Sequence, residues 1–136
     1  MKIVVADTDN ETIENISSLL SSLKPDWQVS ASNSGKQCLS LLKENSCPDV
    51  ILLGMLLCDM PALDLIKQIR DDSDVPIVVL SYERDVRTMV AAFDAGANDY
   101  VIQPFNDQIF IARLKALIRR REWDTQAKKA RVVNST

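Results

Sequence analysis

The feature that most constrains this chain is a hydrophobic period that switches back and forth along its length. Five short runs rich in β-branched residues, Ile3 to Ala6, Gln28 to Ala31, Val50 to Leu53, Ile77 to Leu80 and Tyr100 to Ile102, alternate with longer segments of helical period. The first, third and fourth runs are apolar without alternation. Strands covered on both faces read that way, because neither side of the pleat meets water. The pattern predicts five βα units in a doubly wound α/β sandwich. A chain of 136 residues with 46% hydrophobic content can close such a core as one domain.

The boundaries between units carry their own signals. Thr8-x-x-Glu11 and Ser34-x-x-Gln37 both fit the capping box, in which a hydroxyl and the side chain three residues on satisfy orphan backbone donors at a helix start. Pro61 and Asn106 suit the first turns of the third and fifth helices, and Gly96, after the apolar set Val86, Val90 and Phe93, suits the stop of the fourth. In the fifth segment Phe110, Leu114 and Leu117 form a core stripe, with Ile109, Arg113 and Ala116 on a neighbouring line. The apolar period fades after Arg121. That sets a domain of residues 1–121 and a polar tail, 122–136, expected to be a linker or a frayed end.

Composition removes several function classes. With Asp+Glu 19 against Lys+Arg 16 the net charge is -3, so the surface as a whole does not attract polyanions. No apolar run approaches membrane-spanning length, and the apolar residues after Lys2 are too few for a signal-peptide core, so a cytoplasmic location is expected. Cys38, Cys47 and Cys58 stand in no metal-like spacing and the chain has no histidine. Reduced thiols are expected, and zinc or histidine-based catalysis is excluded.

In an open parallel sheet, ligands bind beyond the carboxyl ends of the strands, where the strand order reverses. Those ends present Asp7, Thr8 and Asp9 after the first run, Gly54 and Met55 after the third, Ser81 and Tyr82 after the fourth, and Gln103-Pro104 after the fifth. An acidic cluster, a hydroxyl and an amide do not assemble a nucleophile and a base, so no enzyme is expected. Without a phosphate-cradling loop after the first run, flavin is not expected either.

Across these positions the chain resembles a known family. KIVVADTD, PDVILLGMLL, VPIVVLS and GANDYVIQPF, spread from Lys2 to about Arg121, are similar to the receiver domains of two-component response regulators. GANDYVIQPF followed by ARLKALIRRRE is most similar to receivers of the OmpR/PhoB type, which precede a winged-helix DNA-binding domain. The resemblance implies a five-stranded parallel, flavodoxin-like (βα)5 fold, and phosphoryl transfer from a histidine kinase to an aspartate at the end of the third strand. That aspartate aligns with Gly54, which has no oxygen nucleophile to offer. The family's acidic pair aligns with Asp7 and Thr8 and its lysine with Gln103, a neutral amide where a cation would pair the phosphoryl oxygens. Phosphotransfer from a kinase is therefore not expected, nor any cofactor. Mg²⁺ binding is expected to be absent or weak, since the acceptor, the phosphate and one acid are gone.

Other residues near these ends have plainer roles in this reading. Asp9 suits the start of the first helix, and Asp59 lies too far along its loop for in-line transfer. Ser81 and Tyr100 align with the family's switch hydroxyl and switch aromatic, the latter turning inward when the hydroxyl follows the phosphate. They read either as a surviving switch or as a loop hydroxyl and a half-buried strand aromatic, with Tyr82 placed to hold Tyr100 in one rotamer.

Receivers of this type form a two-fold dimer through the fourth helix, fifth strand and fifth helix, largely by charge pairs. One acid and base of that interface align with Asp99 and Arg113, whereas an arginine and its glutamate partner align with Met89 and Ile109. An apolar pair there either faces a partner or extends the monomer's core. The basic residues Arg119 to Arg121, Lys128, Lys129 and Arg131 are interrupted by Glu122 and Asp124, so DNA contact is assigned to a domain outside this chain. The reading that follows is a phosphorylation-independent receiver acting as a constitutive homodimer in transcriptional regulation. Its alternative is a small-molecule sensor using the former phosphorylation pocket.

Overall fold

The computed structural model describes residues 1–44 and 48–134, the side chains of 125 and 128–134 excepted, so Cys47 lies outside the described residues. The units run β1 (Lys2–Ala6), α1 (Asn10–Leu23), β2 (Gln28–Ser32), α2 (Gly35–Glu44), β3 (Val50–Gly54), α3 (Ala62–Asp72), β4 (Ile77–Ser81), α4 (Val86–Ala95), β5 (Asp99–Ile102) and α5 (Asp107–Asn134). The strands form one sheet in the order β2-β1-β3-β4-β5, and every neighbouring pair is parallel. This is the flavodoxin-like order, with its reversal between β1 and β3.

The pleat explains how unbroken apolar runs serve two layers. Successive side chains of a strand point to opposite faces. Val4, Ile51, Leu53, Ile77, Val79 and Tyr100 pack with α2, α3 and α4 residues such as Cys38, Ile66 and Ala92. Ile3, Val5, Leu52, Val78, Leu80 and Val101 pack instead with Ile16 and Leu20 of α1 and Phe110, Leu114 and Ile118 of α5. Burial of the Cys38 thiol raises its pKa to about 11, which keeps it protonated and inert.

Helix ends agree with the sequence at most positions. Ser34 Oγ accepts from Gln37 N at 3.0 Å, Asn106 Oδ1 accepts from Ile109 N at 3.0 Å, and α4 ends at Gly96, whose φ of 124° suits glycine. The first helix differs from expectation. Its cap is Asp9 and not Thr8: the Asp9 carboxylate accepts from Glu11 N at 3.0 Å and from the Thr12 hydroxyl at 2.9 Å. A carboxylate there also meets the positive end of the helix dipole, which a hydroxyl does not match.

The tail differs too. Helix α5 does not stop near Arg121 but continues to Asn134. Fading apolar period reports loss of burial, not loss of helix, and the Glu, Gln, Ala, Lys and Arg of this stretch are good helix formers. Arg121 anchors the point of departure, donating to the Pro48 carbonyl at 3.1 Å and pairing with Asp74 at 3.5 Å. Among the described residues no helix is long and apolar enough to cross a membrane.

Candidate functional site

The sheet order brings the ends of β1, β3, β4 and β5 side by side. Ala6 pairs with Leu53, Gly54 with Leu80, and Ser81 with Ile102, so Asp7, Gly54, Ser81 and Gln103 stand along one edge. Thr8 joins them in the β1–α1 loop.

Gly54 does not leave an empty notch. A Cβ built on it would fall onto Asp7 Oδ2 and lie 2.5 Å from Asp7 Cγ, so the Asp7 carboxylate occupies the room a side chain would need. Asp7 Oδ1 accepts from Asp9 N at 3.0 Å, which fixes the loop leading into α1. Burial raises the Asp7 pKa, the backbone N–H groups of Asp9 and Thr8 pull the other way, and the Asp9 charge adds to the rise.

The hydroxyl and the aromatic converge on one residue. Ser81 Oγ accepts from Glu83 N at 3.0 Å, and Tyr100 OH donates to Glu83 O at 2.9 Å. Tyr100 is turned inward at 4% exposure, within the core beneath α4. Its tether is therefore the Glu83 carbonyl. Tyr82 is 69% exposed and lines a groove of about 320 Å³ on the α1 side, with Gln103, Pro104 and Phe105. Gln103 is buried and donates its backbone N–H to Ser81 O at 2.8 Å. The peptide bond Gln103-Pro104 is cis.

Asp59 has a structural role that sequence reasoning missed. Its carboxylate accepts from Gly35 N at 2.7 Å and Lys36 N at 3.1 Å, so the β3–α3 loop caps α2 from outside that helix. These donors, Gly35 foremost, hold its pKa below the usual carboxylate value. Ser34, already visible as a cap, was the only signal that this helix start needed acceptors.

On the α4–β5–α5 face, Asp99 and Arg113 meet within the same chain at 3.9 Å. Met89 is half-buried against the core and Ile109 is 56% exposed, so the two do not share an environment. The larger surprise is α4 itself. Val86, Val90 and Phe93, spaced to form one stripe, are all exposed, at 69%, 50% and 44%. Among the described residues no group of three His, Cys, Asp or Glu side chains is placed to hold a metal.

A family model of the response regulator receiver domain matches residues 3–115. The chain belongs to the response regulator receiver family. Among its relatives, the DNA-binding response regulator MtrA of Mycolicibacterium smegmatis is 33% identical over 121 residues, covering 89% of this chain and 52% of that protein. The transcriptional regulatory protein CpxR of Escherichia coli is 30% identical over 125 residues, covering 92% of this chain and 52% of CpxR. The receiver thus spans about half the length of these curated relatives. Among solved structures, a two-component response regulator from Clostridium difficile superposes with a TM-score of 0.82 at 26% identity, over 89% of this chain and 98% of that one. The BeF3-activated receiver domain of Klebsiella pneumoniae RstA gives 0.81 at 25% identity, over 88% and 99%.

Proposed function

We propose that this receiver is the regulatory module of a transcriptional response regulator that works without phosphorylation and pairs constitutively with a second copy through α4, β5 and α5. The observation that carries the reading is the inward Tyr100, whose hydroxyl shares Glu83 with Ser81 while Gly54 supplies no acceptor. In the family the aromatic turns inward when the hydroxyl follows the phosphoryl group, whereas here the Ser81 hydroxyl accepts from Glu83 N. Here Glu83 holds both side chains by its own backbone groups, so no phosphoryl group is needed to recruit them.

The loss of charge chemistry fits this. A phosphoryl dianion at the strand ends would meet the Asp7 carboxylate and a neutral Gln103, with no cation to offset repulsion. The module is a binding element and not an enzyme. DNA contact is assigned in this reading to a domain other than the receiver, supported by MtrA, a DNA-binding response regulator about twice the length that the receiver matches.

The dimer reading rests on the exposed stripe of Val86, Val90 and Phe93 on α4 and on the exposed Ile109 of α5. Burying one such side chain contributes about 1.5–3 kcal/mol, against about 0–1 kcal/mol for an exposed ion pair such as Asp99–Arg113. The competing reading, a sensor whose ligand fills the space left by Gly54, has less support because the Asp7 carboxylate takes that space. Sedimentation velocity at micromolar concentration tests the dimer. A dimer that Val90→Asp converts to monomer is expected; a monomeric parent, or a dimer indifferent to Val90→Asp, overturns the reading.

A further inference from the structure

The groove on the α1 side of the strand ends adjoins the former phosphorylation pocket and shares Gln103 with it, but is lined by neither Asp7 nor Gly54, and its walls have a consistent chemistry. One wall is α1, through Asn15 and Leu19; the other is the turn from β5 into α5, through Gln103 and Phe105, with Asp107 at the start of α5. Its volume of about 320 Å³ lies at the small end of the range for ligand sites, and it sits beyond the carboxyl ends of the strands, where open α/β sheets bind small molecules.

Two features make the groove a prepared surface. Tyr82 is a large aromatic left 69% exposed at its edge, and it is carried on a pinned turn, because the next residue, Glu83, is bonded through its N–H to Ser81 and through its carbonyl to Tyr100. An aromatic on a fixed backbone stacks against a ligand ring with little entropy left to lose. Phe105 is likewise fixed, its ring 4.4 Å from that of Phe110.

The electrostatics choose the sign of the ligand. Among the described residues lining the groove, Asp107 is the one with a formal charge, and the Asn15 and Gln103 amides supply neutral donors and acceptors. A tyrosine face attracts cations. We infer that this groove binds a small planar cation, its ring on Tyr82 and Phe105 and its charge toward Asp107.

The test titrates the ¹⁵N-labelled protein with benzamidine, benzamide and benzoate, which share a ring and differ in charge. Benzamidine is expected to bind tightest and to move the amide signals of Asn15, Gln103 and Phe105. Tyr82→Ala is expected to weaken it about tenfold, with Tyr82→Phe retaining most of the affinity. Gln103→Lys should turn the preference toward benzoate. Benzoate binding as well as benzamidine, signals moving elsewhere, or unchanged affinity in Tyr82→Ala would overturn the inference. The titration reads binding alone, so its outcome is separate from that of the dimer measurement.

Discussion

At the end of β3, the Asp7 carboxylate lies where a Gly54 side chain would go, and this couples two residues far apart in sequence. Gly54→Ala is expected to cost about 1–3 kcal/mol, the usual range for forcing an atom into an occupied space. In an Asp7→Ala background that cost should largely vanish, which urea denaturation of the double-mutant cycle would show. Gly54→Asp would not simply restore an acceptor, because the introduced carboxylate and Asp7 compete for one site. The raised pKa of Asp7 means that its ionised form opposes folding. The folded state holds the proton more tightly, so the stability linked to the protonated carboxyl is full below the ordinary carboxylate pKa and is lost as pH rises through the folded value. Asp7→Asn is therefore expected to stabilise the fold at neutral pH and to give no gain in acid; equal destabilisation at both pH values would contradict it. That residue 54 offers no side-chain oxygen was legible from one letter of sequence. That Asp7 fills the gap was not, because the contact depends on strand order and on one rotamer.

Among the elements, the strands were legible within one residue at each end, because short runs rich in β-branched residues, most of them apolar without alternation, stand out against longer segments of period 3.6. Helix caps were less so. Thr8 and Asp9 both suit an N-cap by composition, and only backbone geometry chose Asp9. Asp59 was invisible as a cap because it serves α2 from a distant loop. Its lowered pKa gives it the opposite sign to Asp7: the stability it confers is present above the ordinary carboxylate pKa and is lost as pH falls through the folded value. Asp59→Asn should lower the melting temperature at neutral pH and lose its effect in acid, as thermal scans across pH would record. Helix α4 teaches the converse lesson. Val86, Val90 and Phe93 form an apolar set at helical spacing, yet the core takes Ala92 and part of Met89, leaving these larger side chains outside. Periodicity finds a face but does not say which body covers it.

At the scale of the whole molecule, the features form one pattern. Gly54 has no side-chain oxygen where the resemblance places the acceptor, Gln103 is a neutral amide where it places the lysine, and Ser81 and Tyr100 are both bonded to Glu83. The outer face of α4 carries exposed apolar surface, while Asp99 and Arg113 satisfy each other within the chain at a distance where the pair contributes little. Association of such a face draws on apolar burial and needs no added charge to begin. In the proposed function, control of this receiver does not pass through phosphorylation. The deciding measurement is the mass in solution, by sedimentation with and without a small-molecule phosphoryl donor and Mg²⁺. The same dimer is expected in both samples. A monomer that becomes a dimer only when the donor is added would contradict it.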